Sequence, residues 1–140
     1  MEKIKLLFAI TLILVIPFTN ACKHKEDVSR KCIAGSGGHN TVVVYAYHVS
    51  APLLNYFTHP DTAFVKFGST GSPGIHPSDY DTFFVSEPGE DHIHCMGLKC
   101  GNYFIYRTAW DSIANITRYG GSGISLADTN AITDLHIAVN

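Results

Sequence analysis

The chain has 140 residues, of which 46% are hydrophobic and 16% charged, and its formal net charge is −2. That balance supplies no basic stripe to neutralise phosphates, so no nucleic acid is expected as a partner. A chain of this size makes one domain with a hydrophobic core of its own.

Lys3 and Lys5 give a positive start, and residues 6–18 form an almost unbroken apolar run. The run is shorter than the about 20 residues a membrane-spanning helix needs. Asn20-Ala21-Cys22 closes it, with a small residue directly before a cysteine. This grammar resembles a bacterial lipoprotein signal, in the looser form of Bacteroidota lipoproteins, with Thr19 where an aliphatic residue is usual. The resemblance implies cleavage before Cys22, acylation of its thiol and a lipid anchor in the outer membrane. The following Lys23-His24-Lys25-Glu26-Asp27 resembles the charged tag that sends such proteins to the cell surface. Residues 32–40 are Gly/Ser-rich and show no periodicity to bury. The expected organisation is a signal over 1–21, a lipidated flexible tether over 22–40 and a folded domain over 41–140.

Residues 41–48 are β-branched and aromatic and read as the first strand, which makes the preceding glycines a linker and not a phosphate loop. Further strands are expected over 62–67, 82–86, 91–96, 102–110, 113–119 and 131–139, with a fragment at 123–126. A long Gly/Ser/Pro loop covers 68–79. Ile132, Ile137 and Val139 frame the last strand, whose Asp134 and His136 are expected to face the other way, with Leu135 breaking strict period two. No apolar repeat of helical spacing runs for three turns beyond the signal. Short strands between Gly, Pro, Asn and Asp turns predict an all-β fold, a single antiparallel β-sandwich of about seven strands.

Leu98-x-x-Gly101-x-Tyr103 sharpens that expectation. In sandwiches a tyrosine just after a turn buries its ring and bonds its hydroxyl to backbone a few residues upstream. Gly101 supplies the unusual backbone angle there, and Leu98 plugs the core. With the Val42–Tyr47 strand and Pro52-Leu53 the pattern resembles Ig-like, prealbumin-like and carboxypeptidase-regulatory-like sandwiches. Together with Gly89-Glu90-Asp91-His92-Ile93-His94 and Tyr119-Gly120-Gly121 it is similar to small Bacteroidota lipoproteins. The resemblance implies a fold and names no catalytic residue.

Chemistry concentrates in His92-Ile93-His94, because residues two apart on a strand share a face and both imidazoles can reach one Zn or Cu ion. Glu90, Cys95, His136 or His48 can complete the set. His136 is the chosen third ligand if its strand neighbours that of His92. Ile93 is expected to point into the core. Of the cysteines other than Cys22, Cys95 and Cys100 flank a turn and are the expected disulfide, with Cys32 able to pair with either. The acidic set Asp79, Asp81, Glu87, Glu90 and Asp91 fits solvated turns better than a spaced Ca²⁺ loop. Tyr45, Tyr47, Tyr103, Tyr106 and Trp110 exceed the needs of one small core, as sugar- or protein-contacting surfaces do. Ser36, Ser112 and His39 form no nucleophile–base pattern. The leading expectation is a non-enzymatic, surface-displayed outer-membrane lipoprotein that binds glycan, protein or another envelope component. The alternative is an envelope metal-binding protein using His92 and His94.

Overall fold

Two four-stranded sheets make up the computed structural model, which describes residues 32–56, 58–127 and 130–140. The first holds β1 (Ser36–His48), β2 (Ala51–Pro52), β5 (His92–Leu98) and β8 (Ile132–Ala138). The second holds β3 (Thr62–Phe67), β4 (Thr82–Val85), β6 (Gly101–Asp111) and β7 (Ile116–Leu126), in the order β4-β3-β6-β7. A single 3-10 turn, Pro77–Asp79, interrupts the long polar loop. The fold is the expected all-β sandwich. Period-two alternation drives it: Val42, Val44 and Ala46 of β1 meet Ala63, Val65 and Ile105 of the opposite sheet in one core.

β1 is the hub of its sheet. It pairs antiparallel with β5 along one side and parallel with β8, from Thr41↔Ile132 to Tyr47↔Ala138. The sandwich is therefore not purely antiparallel. β8 is reached by a crossover from β7 in the other sheet, and a crossover does not impose the reversal that a hairpin does. The in-facing residues of β8 are Leu135 and Ile137, followed by Val139, whereas Ile132 points out and is 76% exposed. β7 is likewise one strand and not two fragments. Its glycines are packing features: a Cβ on Gly120 would lie 2.2 Å from the Ala138 carbonyl oxygen, so only glycine lets the chain end cross there.

The flexible tether expected over 22–40 does not extend over residues 32–40. Residues 32–40 belong to the domain, and Cys22 and residues 22–31 lie outside the described residues. The Lys99 N–H donates to the Gly35 carbonyl at 2.9 Å, and Gly38 packs so closely on the Leu98 carbonyl that no side chain fits. Glycines that look like a linker are there to let β1 start against the end of β5. The disulfide joins Cys32 to Cys100, Cα atoms 5.1 Å apart, and not Cys95 to Cys100. Alternation explains the correction: Cys95 sits on the same face of β5 as Ile93, both fully buried, so its thiol points away from the turn. Cys95 is free, and burial pushes its pKa up to about 12.

The tyrosine corner forms. The Tyr103 hydroxyl lies 2.9 Å from the Lys99 carbonyl and 3.1 Å from that of Gly35, and it accepts the Gly35 N–H at 2.9 Å. Gly101 has φ 141°, and a Cβ there would meet the Ala34 backbone at 2.6 Å. Leu98 is buried beneath.

Between the sheets lies a charge that the apolar reading of β6 hides. Arg107 is fully buried, and its guanidinium donates to the Val44 carbonyl, to Asn55 Oδ1 at 2.9 Å, to Asp61 Oδ2 at 3.2 Å and to the Asp91 carbonyl at 3.3 Å. Burial raises the Asp61 pKa, while the Trp110 N–H and Arg107 pull it back; burial lowers that of Arg107. Burial opposes the charge on both partners, and their mutual hydrogen bond and ion pair act against that shift.

Two stability outcomes are expected. Tyr103→Phe lowers unfolding free energy by about 1–3 kcal/mol, because backbone groups lose their partner, and Gly101→Ala also destabilises; denaturant midpoints unmoved by both would contradict the corner. Arg107→Met leaves Asp61 buried without its cation and costs about 3–5 kcal/mol in the same measurement.

Candidate metal centre

The turn before β5 and the first half of that strand bring the candidate ligands together. Gly89, at φ 89°, turns the chain, and its N–H donates to the Asn55 carbonyl at 3.0 Å. The Asn55 N–H donates to the Glu90 carbonyl at 2.7 Å, and its side-chain amide donates to the His92 carbonyl at 3.0 Å. With Arg107 on the Asp91 carbonyl, the backbone of 89–92 is held at every residue by buried polar groups. From His92 onward alternation takes over: Ile93 enters the core as expected, and His92, His94 and Met96 face out.

Glu90, His92 and His94 each offer one ligand atom within 4.8 Å of the others. The two Nε2 atoms are 3.0 Å apart, and Glu90 Oε2 is 3.6 Å from His92 Nε2. Zinc bonds of about 2.0–2.1 Å in a tetrahedral site put ligand atoms roughly 3.3 Å apart, so these separations bracket a shared ion. The His92 Nδ1–H donates to Asp91 Oδ1 at 2.8 Å, which turns the Nε2 lone pair toward the cluster. Carboxylate–histidine pairs of this kind orient metal-bound imidazoles and raise their basicity. In the remaining Nε2–Nε2 contact one ring donates to the other, and a cation can take the place of the proton between them. Glu90 Oε2 is shielded from solvent and has no hydrogen-bond partner among the described residues. A shielded carboxylate oxygen without a donor is costly unless a cation faces it.

His136 is not the third ligand. β1 separates β8 from β5, and Tyr45 stands in register with both His92 and His136. The Tyr45 ring stacks on His136 at 5.0 Å between centroids and tilts against His92 at 5.4 Å, filling the space a shared ion would need. His48 is engaged through Nδ1 with the Val139 carbonyl at 3.0 Å, and the Cys95 thiol faces the core. Glu90, one donor among several in sequence, is the one that the turn delivers.

A cleft of about 410 Å³ adjoins the centre, lined by Phe84, Val85, Glu87, Glu90, His94 and Met96. It lies where the edge strands β4 and β5 of the two sheets approach each other. The other acidic residues serve turns. Asp81 accepts the Phe67 N–H at 2.7 Å and Lys66 Nζ at 3.1 Å, which hold its pKa below the usual carboxylate value, and Asp79 accepts the His76 N–H at 3.1 Å. Of the aromatic set, Tyr103 is core, Tyr45 and Tyr47 flank His136, and Trp110 stacks on His59 at 4.0 Å. Tyr106 joins Phe64, Tyr80 and Tyr119 on the outer face of the second sheet.

Asn55 and Arg107 are the site residues that sequence reasoning missed. A polar residue inside an apolar strand is the one signal that marked Arg107. No protein-family model matches the chain, and no curated protein or solved structure is significantly similar to it.

Proposed function

We propose that the protein is a non-enzymatic envelope domain that binds a transition-metal ion through Glu90, His92 and His94. The observation that carries this reading is Glu90 Oε2, shielded from solvent and without a hydrogen-bond partner among the described residues, 3.6 Å from His92 Nε2, which is itself 3.0 Å from His94 Nε2. Two imidazoles and one carboxylate suit zinc or copper. Asp91 is the positioning carboxylate behind His92.

The same proposal takes the chain as a small Bacteroidota lipoprotein with an Ig-like or prealbumin-like sandwich, anchored at Cys22 in the outer membrane and displayed on the cell surface. Its support is the signal grammar of residues 3–22. Anchored display leaves the centre open to the medium, since His94 and Met96 are exposed.

A second reading, contact with glycan or with another envelope protein, is favoured by the aromatic face of the β4-β3-β6-β7 sheet. There a cleft of about 400 Å³ is lined by Phe64, Tyr80, Phe83, Asp81 and neighbouring residues. Aromatic faces beside polar groups suit sugar rings, which are apolar on one side and hydroxylated at the rim.

Calorimetric titration of the purified protein with Zn²⁺ or Cu²⁺ should give one binding site, which His92→Ala/His94→Ala removes. Asp91→Asn should weaken it by about 10–100-fold. Affinity should fall on acidification, because protons compete for the imidazole nitrogens. Equal weak heats from wild type and the double variant would reduce the pair to surface histidines. The anchor has its own test: Cys22→Ser should abolish labelled-palmitate incorporation and release the protein from the membrane fraction, and unchanged labelling would contradict it.

A further inference from the structure

The outer face of β5 does not end at His94. Strict alternation places Met96 next along that face, two residues beyond His94 as His94 is two beyond His92. Met96 is 63% exposed, although a large apolar side chain gains by burial. It lines the same cleft as His94 and Glu90. The two histidines close a two-residue span to 3.0 Å between their Nε2 atoms. A methionine side chain, unbranched and with three rotatable bonds, can close the equal span from the far side.

From this we infer that the centre also takes Cu(I), with the Met96 thioether as third donor to that ion. The inference rests on the metal-binding reading of Glu90, His92 and His94. The four donors run in order along the chain: a hard carboxylate at one end, two imidazoles in the middle, a soft thioether at the other. Imidazole serves zinc and both copper oxidation states. Carboxylate oxygen suits the divalent ions, and thioether sulfur suits Cu(I) and offers Zn²⁺ little. One imidazole pair can thus be completed by Glu90 for a divalent ion and by Met96 for Cu(I). Glu90 and Met96 both line the cleft, so exchange between them requires movement of side chains only. The strand itself is pinned by its pairing to β1 and by the Asn55 bond at its start.

The test compares Met96→Leu with wild type in the full-length protein, measuring Cu(I) affinity anaerobically against a chromogenic chelator and Zn²⁺ affinity by calorimetry. Leucine conserves volume and apolarity at an exposed site, so the fold is retained, and a matching denaturant midpoint verifies it. The expected result is a loss of Cu(I) affinity of about tenfold or more with Zn²⁺ affinity unchanged. Unchanged Cu(I) affinity, or an equal fall for both ions, overturns the role of Met96 and leaves the Glu90–His92–His94 centre standing. Absence of binding by either ion in wild type overturns the centre and this inference with it. Glu90→Gln provides the reciprocal arm: it should weaken Zn²⁺ and spare Cu(I), and the opposite pattern would reverse the assignment of hard and soft ends.

Discussion

The guanidinium of Arg107 is the constraint on which the rest of the structure depends. It rises from the middle of β6 into the space between the sheets, where every other large side chain is apolar or, like Tyr103, turned to one end. A charge there is costly without acceptors, and four come to its two terminal nitrogens from three separate segments, while Nε has no partner among the described residues. Val44 belongs to the hub strand, Asn55 and Asp61 to the irregular stretch between β2 and β3, and Asp91 to the turn before β5. One side chain therefore registers the two sheets against each other and fixes the irregular stretch. Asn55, once held by Arg107, holds Glu90 and His92 by their backbone. The geometry of Glu90, His92 and His94 at the surface is set from the core.

That hierarchy explains what could be read in the sequence. Strand existence was legible, since alternation of β-branched and aromatic residues with turn residues between them needs no knowledge of partners. The corner was legible as well, because Leu98, Gly101 and Tyr103 act within six residues of each other. The outward pair His92 and His94 and the inward Ile93 followed from the period of two alone. What escaped was everything set by distant partners. The parallel direction of β8 depends on which sheet the chain crosses to. Gly38, Gly120, Gly121 and Gly123 look like breaks until the backbone or side chain that packs against each one is known. Cys95 is near Cys100 in sequence, but the face of the strand it occupies decides its fate. His136 has the right chemistry and lies one strand too far.

The centre also bears on how the sandwich ends at its sides. β4 and β5 are edge strands, and edges with free backbone groups invite pairing with other chains. β4 is only four residues long, and the stretch leading to β5 carries Glu87, Pro88, Glu90 and Asp91. Short length, proline and charge are the usual protections of an edge, and here two of the acidic residues also serve the imidazoles.

The place of β1 in its sheet has a consequence for the order in which the molecule assembles. Its register with β8 joins positions roughly 90 residues apart, and its register with β5 joins positions roughly 50 apart. A chain emerging from its N-terminus presents the apolar Val42, Val43 and Val44 first and supplies their last neighbour with its final dozen residues. Loop-closure entropy must be met before either pairing returns any stabilisation, so such topologies fold slowly and late. The second sheet, built of β3, β4, β6 and β7 with closer pairings, can form while β1 still waits. Until β8 arrives, one edge of β1 stays open, and an open apolar strand edge is exposed to pairing with other chains.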